Sequence, residues 1–188
     1  MTTTDIFLTS LKELWEGNDK LTKVESILLA DAKSKLSDRK VLDLSRNFDL
    51  EITNPFGVYL LSIKNEDEKI TSNIFMDAWN SSKLGYSSRL VKKRSHNTVI
   101  DGFQAIYIGK SAKLKDRIKE HCFQKVDGTT YGTKLMHRHD VLDKYPLYLS
   151  YYCIDNSIKI GDQYKQFIIT NLEAKLRDEY YKPWIGKQ

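Results

Sequence analysis

The chain has 188 residues, of which 40% are hydrophobic and 29% are charged, and its formal net charge is +5 at pH 7. This composition predicts a soluble globular protein with one domain and a substantial core. The sequence has no apolar run near the roughly 20 residues of a membrane span, and it lacks the basic lead and long apolar block of a secretion signal, so a cytoplasmic protein without membrane contact is expected.

The N-terminal 50 residues are predicted to be helical. Apolar periodicity predicts one helix over residues 4–17, ended by Gly17, and a second helix over about residues 20–36. No Pro/Gly/Ser-rich linker follows, so we expect residues 1–50 to pack on a domain formed by residues 51–188. Their charge is close to zero, which favours a structural brace or a dimer surface over a DNA-binding arm.

A first strand is predicted at residues 54–63, NPFGVYLLSI, which carries the sequence Gly57-Val58-Tyr59. Residues 70–100 separate this strand from the next one and are predicted to form an insertion. Three of its apolar residues predict a helical turn or two that docks by its aromatic side chains. They are Phe75, Met76 and Trp79.

The later part of the insertion is strongly basic. Residues 78–100 contain five Lys or Arg residues and no Asp or Glu. These residues are Lys83, Arg89, Lys92, Lys93 and Arg94. Such side chains reach phosphates or guanine edges, and Tyr86 among them could stack on a nucleobase or wedge between two. Nucleic-acid binding is one interpretation, and a solvated basic loop is the alternative that the residues leave open.

Residues 103–121, FQAIYIGKSAKLKDRIKEH, predict a short buried strand, a tight turn at Gly109 and a helix. Apolar residues at every fourth position give this helix a stripe that can pack on a sheet. Arg117 and His121 lie at the rim of the stripe and are expected to point toward Tyr107. A cation and an imidazole directed at a tyrosine predict a site for a phosphodiester.

The rest of the chain is predicted to form a helix, a strand and a last helix. The first of these helices covers about residues 134–142, and the strand LYLSYYCI covers residues 147–154. The last helix carries Glu173 and ends near Tyr181, before Pro183. This order of elements predicts a small α/β domain with a three-stranded sheet that is antiparallel at its first hairpin.

A Gly-Val-Tyr strand, a Tyr-Ile-Gly strand, an Arg/His helix and a Glu-bearing last helix, in this order, resemble the GIY-YIG nuclease family. The resemblance covers about residues 56–183, and its specific part is the run Y-I-G-K-S-x-x-L-x-x-R-x-x-x-H at residues 107–121. It implies an α/β (α+β) fold with a small three-stranded sheet flanked by helices. It also implies the activity of a metal-dependent, restriction-type or related endonuclease that hydrolyses DNA.

The resemblance further implies roles for five residues in phosphodiester hydrolysis. Glu173, the one carboxylate of the set, would hold Mg²⁺ or Mn²⁺ together with phosphate oxygens and water. Arg117 would neutralise a non-bridging phosphate oxygen. Tyr59 would be the base, Tyr107 would orient water or substrate, and His121 would accept or relay a proton, although the sequence does not divide the roles of the two tyrosines. A tyrosine base requires nearby cations that lower its phenol pKa of about 10.

Double-stranded DNA is the partner that the resemblance implies, and a homodimer is expected if the protein cuts both strands as type II restriction enzymes of this family do. The residues predicted to contact the nucleic acid are Tyr86, Arg89, Lys92, Lys93, Arg94, Lys110 and Lys113. The chain departs from the family pattern in its long insertion and in having no Asn after Pro183. A non-catalytic nucleic-acid-binding protein on the same fold and an RNA-directed nuclease are the alternatives.

Overall fold

The structure is a computed structural model that describes residues 3–44, 50, 52, 55–81, 97–125, 132–154 and 161–186. Its helices are α1 (Thr3–Leu36), α2 (Ser72–Ser81), α3 (Leu114–Phe123), α4 (His139–Leu142) and α5 (Asp162–Lys175). Its strands are β1 (Lys40–Val41), β2 (Gly57–Lys64), β3 (Val99–Ile100), β4 (Phe103–Ser111) and β5 (Leu147–Cys153). A 3₁₀ turn at Leu135–His137 precedes α4, and a π-helical turn at Leu176–Tyr181 follows α5.

The N-terminal region is one continuous helix, so the predicted break at Gly17 is wrong. A single interior glycine costs a helix only about 1 kcal/mol relative to alanine, and the turns on both sides outweigh that cost. The chain divides into two units, Met1–Ser34 and Lys35–Gln188. The packing of residues 1–50 on the rest of the chain therefore stays a prediction. In the described part of the chain, no helix combines the length and the apolar character that crossing a membrane requires.

The sheet is antiparallel and has five strands in the order β1-β5-β2-β4-β3. The mixed α/β class is confirmed, but the prediction of three strands is wrong. The three predicted strands form the centre of the sheet, and β1 and β3 add one short strand at each edge. Each edge strand has only two residues, which is too short for the alternation of polar and apolar residues by which a strand is recognised in a sequence.

The register of β2 and β4 decides which side chains share a face. Tyr59 pairs with Gly109 and Leu61 pairs with Tyr107, so all four lie on the same face of the sheet. The next pair is Ser62 with Ala105, which leaves one residue of β4 unpaired in a bulge directly beside Tyr107. Bulges of this kind redirect neighbouring side chains and are frequent next to active sites.

Helices cover both faces of the sheet. On the face of Tyr59, a Cβ at Gly57 would come within 3.1 Å of Leu114 Cδ2, which shows how closely α3 approaches β2. The side chains of α2 that were predicted to dock are buried in the core, as predicted; they are Phe75, Met76 and Trp79. Helix α5 contacts β2 and β4 and buries Ile169 and Leu172. Successive side chains of a strand point to opposite faces of the sheet, so the side chains of β2 and β4 that point away from α3 are available to pack against α5.

The helix predicted over residues 134–142 is wrong as a single element, because two short helical segments meet at Arg138. Arg138 has φ −117° and ψ 38°, outside the helical region. Its side chain is buried and makes hydrogen bonds to two backbone carbonyls. In a continuous helix the Arg138 side chain could not reach both carbonyls. Such a contact leaves no periodic signal in the sequence, so it could not be predicted.

Candidate active site

The ring of Tyr59 lies across the backbone of Gly109, the residue it pairs with on β4. A Cβ at Gly109 would come within 2.5 Å of Tyr59 Oη and 2.6 Å of Tyr59 Cζ, closer than real Cβ contacts come. Only glycine therefore permits this approach of a side chain to the neighbouring strand. The glycine of the Tyr-Ile-Gly sequence has a structural purpose here, since it makes room for the tyrosine of the Gly-Val-Tyr sequence.

Three aromatic rings from three elements meet on this face of the sheet, and we call Tyr59, Tyr107 and His121 the ring cluster. The ring centroids of Tyr107 and His121 are 5.0 Å apart, those of Tyr59 and His121 are 5.6 Å apart, and those of Tyr59 and Tyr107 are 6.0 Å apart. Tyr59 and His121 are each 1% exposed, whereas Tyr107 is half-buried. Tyr107 is thus the member of the cluster that a ligand at the surface would meet first.

The tautomer of His121 follows from its hydrogen bonds. The backbone N–H of Thr133 donates to His121 Nδ1 at 3.0 Å, and Thr133 Oγ1 donates to the His121 carbonyl at 3.2 Å. Because Nδ1 accepts a hydrogen bond, the ring proton of the neutral imidazole lies on Nε2. His121 Nε2 is buried and has no hydrogen-bond partner among the described residues. Burial, assisted by the charge of Arg117, lowers the pKa of His121 to about 3.

The hydroxyl of Tyr59 is the second buried polar group of the cluster. It makes no hydrogen bond of standard geometry in the part of the chain that the structure describes, but Tyr107 and Arg117 are near enough to interact with it. Burial and the neighbouring phenol of Tyr107 raise the pKa of Tyr59 well above its usual value. Arg117 opposes this shift, as the sequence led us to expect of a cation, but its effect is the smaller one. Tyr59 is therefore protonated at neutral pH and can donate a hydrogen bond.

Arg117 stands beside both tyrosines and is half-buried. Its Nη1 forms an ion pair and hydrogen bond with Glu120 Oε2, one turn further along α3. Burial alone would lower the pKa of Arg117, but the hydrogen bond that Arg117 donates to the Glu120 carboxylate and its electrostatic interactions with Tyr59 and Tyr107 outweigh burial and raise it. The guanidinium is thus permanently charged next to the ring cluster, and a phosphate that approaches it must share it with the Glu120 carboxylate.

Glu173 lies on α5, whereas the ring cluster is carried by β2, β4 and α3. Glu173 is buried on α5, where Oε1 accepts a hydrogen bond from Arg177 Nη1 at 2.9 Å and Oε2 lies 3.7 Å from Lys110 Nζ. Lys110 follows Gly109 on β4, so alternation directs its side chain away from the face of Tyr59. The structure therefore brings four of the five predicted residues together, and it places the fifth on α5 beside Lys110, the residue that follows Gly109 on β4.

Glu173 fits a metal ion that has a single protein ligand. Its Oε2 is too far from Lys110 for a hydrogen bond, so this oxygen keeps lone pairs for an ion. Within the described ranges, no group of three or more His, Cys, Asp or Glu side chains could hold a metal. A Mg²⁺ ion commonly takes one or two carboxylates and completes its octahedron with water and substrate phosphates. Glu173 Oε2 could therefore be the single protein ligand of such an ion.

The predicted nucleic-acid contacts are only partly described. Lys110 is half-buried in its ion pair with Glu173, and Lys113 is exposed just before α3. The other five residues of the prediction lie outside the described ranges; they are Tyr86, Arg89, Lys92, Lys93 and Arg94. Their contact with nucleic acid stays a prediction.

The segment after Pro183 approaches Tyr107, although it lacks the Asn of the family pattern. The backbone N–H of Ile185 donates to the Ile106 carbonyl at 2.8 Å, so this segment runs beside β4. Gly186, at φ +124°, comes next, and a Cβ there would lie 3.8 Å from the ring of Tyr107. The segment after Pro183 thus reaches the neighbourhood of Tyr107 through its backbone.

Three further residues contribute to the site and were not predicted from the sequence. Thr133 holds the ring of His121, Glu120 pairs with Arg117, and Arg138 donates to the Thr133 carbonyl. The spacing of Arg117 and Glu120 is a known signal for a helical ion pair and could have revealed it. Thr133 and Arg138 carry no such signal, because their positions depend on how residues 132–138 fold back on α3.

His121 is expected to make the stability of the protein depend on pH. The unfolded chain binds a proton on this residue near pH 6.5 and the folded chain only near pH 3, so the stability contributed by neutral His121 is complete above pH 6.5 and is lost as the pH falls toward 3. Urea unfolding at about pH 7 and about pH 5 should show a smaller loss of stability in His121→Asn than in the wild type. His139→Asn, on the exposed start of α4, should behave like the wild type. A wild-type His121 that titrates near pH 6.5 by NMR would contradict this prediction.

Comparison of the chain with protein-family models, with curated proteins and with solved structures gave no match. The function must therefore be inferred from the residues of the site and their geometry.

Proposed function

We propose that the protein is a metal-dependent endonuclease that hydrolyses phosphodiester bonds of DNA, of the GIY-YIG type. The observation that carries the proposal is the ring cluster with Arg117 beside it, since Tyr59, Tyr107 and His121 lie within 6.0 Å of one another between ring centroids. They belong to β2, β4 and α3, and they are separated by up to 62 residues of the chain. Hydrolysis of a phosphodiester passes through a dianionic phosphorane. The polar groups of the ring cluster and the cation of Arg117 can stabilise that negative charge.

Three donors lie in or beside the ring cluster, and each would stabilise negative charge on a phosphate. Tyr59 Oη and His121 Nε2 are neutral donors that make no hydrogen bond of standard geometry among the described residues, and Arg117 is a charged donor. Donors fixed before the reaction need no reorganisation in the transition state, which makes them effective in a buried site. We therefore assign His121 and Tyr59 to hydrogen-bond donation in the resting state.

The two tyrosines have different environments, and these divide their roles. Tyr59 keeps its proton because burial raises its pKa. Tyr107 is half-exposed and contacts both of the other rings, so we assign to it the contact with the attacking water or the substrate. A Mg²⁺ ion held by Glu173 would, when bound, polarise the scissile phosphate and stabilise the leaving oxygen. Lys110 and Arg177 form ion pairs with the Glu173 carboxylate.

The basic stretch of the insertion is expected to contribute binding energy that depends on salt. Replacing Arg89, Lys92, Lys93 and Arg94 together by Ala should weaken the binding of duplex DNA, and each lost phosphate contact should reduce the slope of log K against log salt by about 0.9. Equilibrium binding at several salt concentrations measures this slope. An unchanged slope, affinity and sequence preference would contradict the assignment. Relaxed sequence preference with a small change in slope would instead show that these side chains contact nucleobases.

The activity itself is tested with purified full-length protein, Mg²⁺ and supercoiled plasmid, with a chelator in a parallel reaction. We expect nicked or linear DNA with Mg²⁺ and intact plasmid with the chelator. A duplex RNA and a single-stranded RNA of the same sequence are tested as substrates under the same conditions. Cleavage of RNA alone would support the RNA-directed alternative, and tight binding without cleavage of either nucleic acid would support a non-catalytic binding protein.

A further inference from the structure

Arg138 is a buried cation in the core next to the ring cluster. It is 3% exposed, and its guanidinium stacks on the ring of Trp79 at 3.9 Å from the ring centroid. Its hydrogen bonds go to two backbone carbonyls, from Nε to Thr133 at 2.9 Å and from Nη1 to Trp79 at 2.7 Å. Burying a guanidinium is costly unless its donors are hydrogen-bonded, and here two of its nitrogens donate to carbonyls.

One of the two bonds leads to His121. Thr133 accepts the hydrogen bond from Arg138 Nε through its carbonyl, and its own N–H and hydroxyl bond to His121 Nδ1 and to the His121 carbonyl. The N–H and the carbonyl belong to the two peptide groups that flank the Thr133 Cα, so this residue is held on both sides and cannot shift without breaking one of these bonds. Arg138 thereby fixes the donor that sets the tautomer and the orientation of the imidazole.

The other bond leads to the end of α2. The Trp79 carbonyl belongs to the last turn of this helix, whose carbonyls have no partner within the helix. The last turn of α2 contains no basic residue of its own, so Arg138 supplies the cation that favours a helix C-terminus. Residues 82–96, with their five Lys or Arg side chains, follow directly on this turn.

We propose that Arg138 is a positioning residue that joins the C-terminal turn of α2 to Thr133, the residue that orients His121. A single guanidinium holds both carbonyls, so a displacement at the end of α2 and a displacement of Thr133 are coupled. The assignment to catalysis rests on the proposed function. The coupling itself, between the α2 terminus and the His121 ring, does not depend on any activity.

The test uses three variants of the full chain. Arg138→Met removes the charge and both hydrogen bonds but keeps contact with Trp79, and Arg138→Lys keeps the charge but lacks the planar fork that reaches two carbonyls. Arg39→Met is the matched control. Arg39 is also a buried guanidinium stacked on an aromatic ring, that of Phe103 at 4.7 Å, but its bonds go to Ile100 and Asp101 at the β3 edge.

The ¹⁵N chemical shifts of the His121 ring and the amide hydrogen exchange of α2 are measured in all of these proteins. In the wild type we expect an unprotonated Nδ1 and a protonated Nε2. In both Arg138 variants we expect a mixture of tautomers, a titration of His121 at higher pH, and faster exchange in the last turn of α2 together with the Thr133 amide. Arg39→Met should lose stability but leave the His121 shifts and the α2 exchange unchanged.

Nuclease activity gives an independent readout. If the wild type cleaves DNA, Arg138→Met should lower kcat about 10-fold to 100-fold, as expected when a catalytic group is misplaced by up to about 1 Å. If the wild type cleaves no nucleic acid, the proposed function fails, and the NMR and exchange data still decide the coupling. Unchanged His121 shifts in a folded Arg138→Lys or Arg138→Met protein overturn the proposal, as does a change in His121 without a change in α2.

Discussion

Glu173→Gln is expected to abolish DNA cleavage and to leave the fold and DNA binding nearly intact. The amide has the size of the carboxylate and can still accept the hydrogen bond from Arg177, which keeps its second partner Asp178. It lacks the negative charge that would hold a divalent cation. Loss of the metal removes several kcal/mol of transition-state stabilisation, so the single-turnover rate should fall by at least about 10³-fold.

The control for this variant is Glu179→Gln. Glu179 lies on the π-helical turn that follows α5 and is exposed, so its substitution changes the net charge equally without touching Lys110 or Arg177. Its cleavage rate should equal that of the wild type. Circular dichroism and DNA affinity establish that Glu173→Gln is folded and binds. Cleavage by Glu173→Gln at the wild-type rate would show that this carboxylate holds no essential metal.

Arg117→Lys is the second substitution with a large expected effect. The lysine keeps the positive charge but loses the planar fork that can contact a phosphate and Glu120 at the same time. It also loses part of the field next to Tyr59 and Tyr107 that Arg117 provides. We expect the cleavage rate to fall on the order of 10²-fold or more, which is the cost of removing one transition-state donor.

Lys119→Ala is the matched control on the same helix. It removes a positive charge two residues further along α3, which places it on a different side of the helix from Arg117. Its effect should be limited to a small loss of DNA affinity that disappears at high salt. Equal activity of Arg117→Lys and the wild type would mean that Arg117 only contributes to a general attraction of phosphates.

The sequence predicted most of the arrangement around Gly109, because those parts of it depend on local rules. A buried strand with the Tyr-Ile-Gly sequence, a helix with Arg and His four residues apart, and a second tyrosine strand are recognisable from periodicity and residue type. The tight turn predicted at Gly109 is wrong, because β4 continues through Gly109 to Ser111. The structure brings Tyr59, Tyr107 and His121 into contact and puts Arg117 next to them. It also buries the predicted aromatic side chains of α2.

The features that the sequence did not predict depend on contacts between distant segments. The two-residue strands β1 and β3 form because each pairs with the edge of a longer strand. The break in the predicted helix at Arg138 goes with the hydrogen bonds that its side chain donates to the carbonyls of Trp79 and Thr133. The pKa of Tyr59 shows the same limit. Sequence reasoning counts the nearby cations, but only the packing of three rings reveals that burial has the larger effect.

The central claim is that the ring cluster carries out hydrolysis, and the most direct test is the single-turnover cleavage of an end-labelled DNA duplex by Tyr107→Phe in the presence of Mg²⁺. This change removes one hydroxyl and keeps the ring that packs against Tyr59 and His121. We predict that the rate falls by about 10²-fold or more relative to the wild type, while Tyr148→Phe, a half-buried tyrosine on β5 whose ring packs against Phe103 instead, retains the wild-type rate. Equal rates for Tyr107→Phe, Tyr148→Phe and the wild type would contradict the claim that this cluster is the active site.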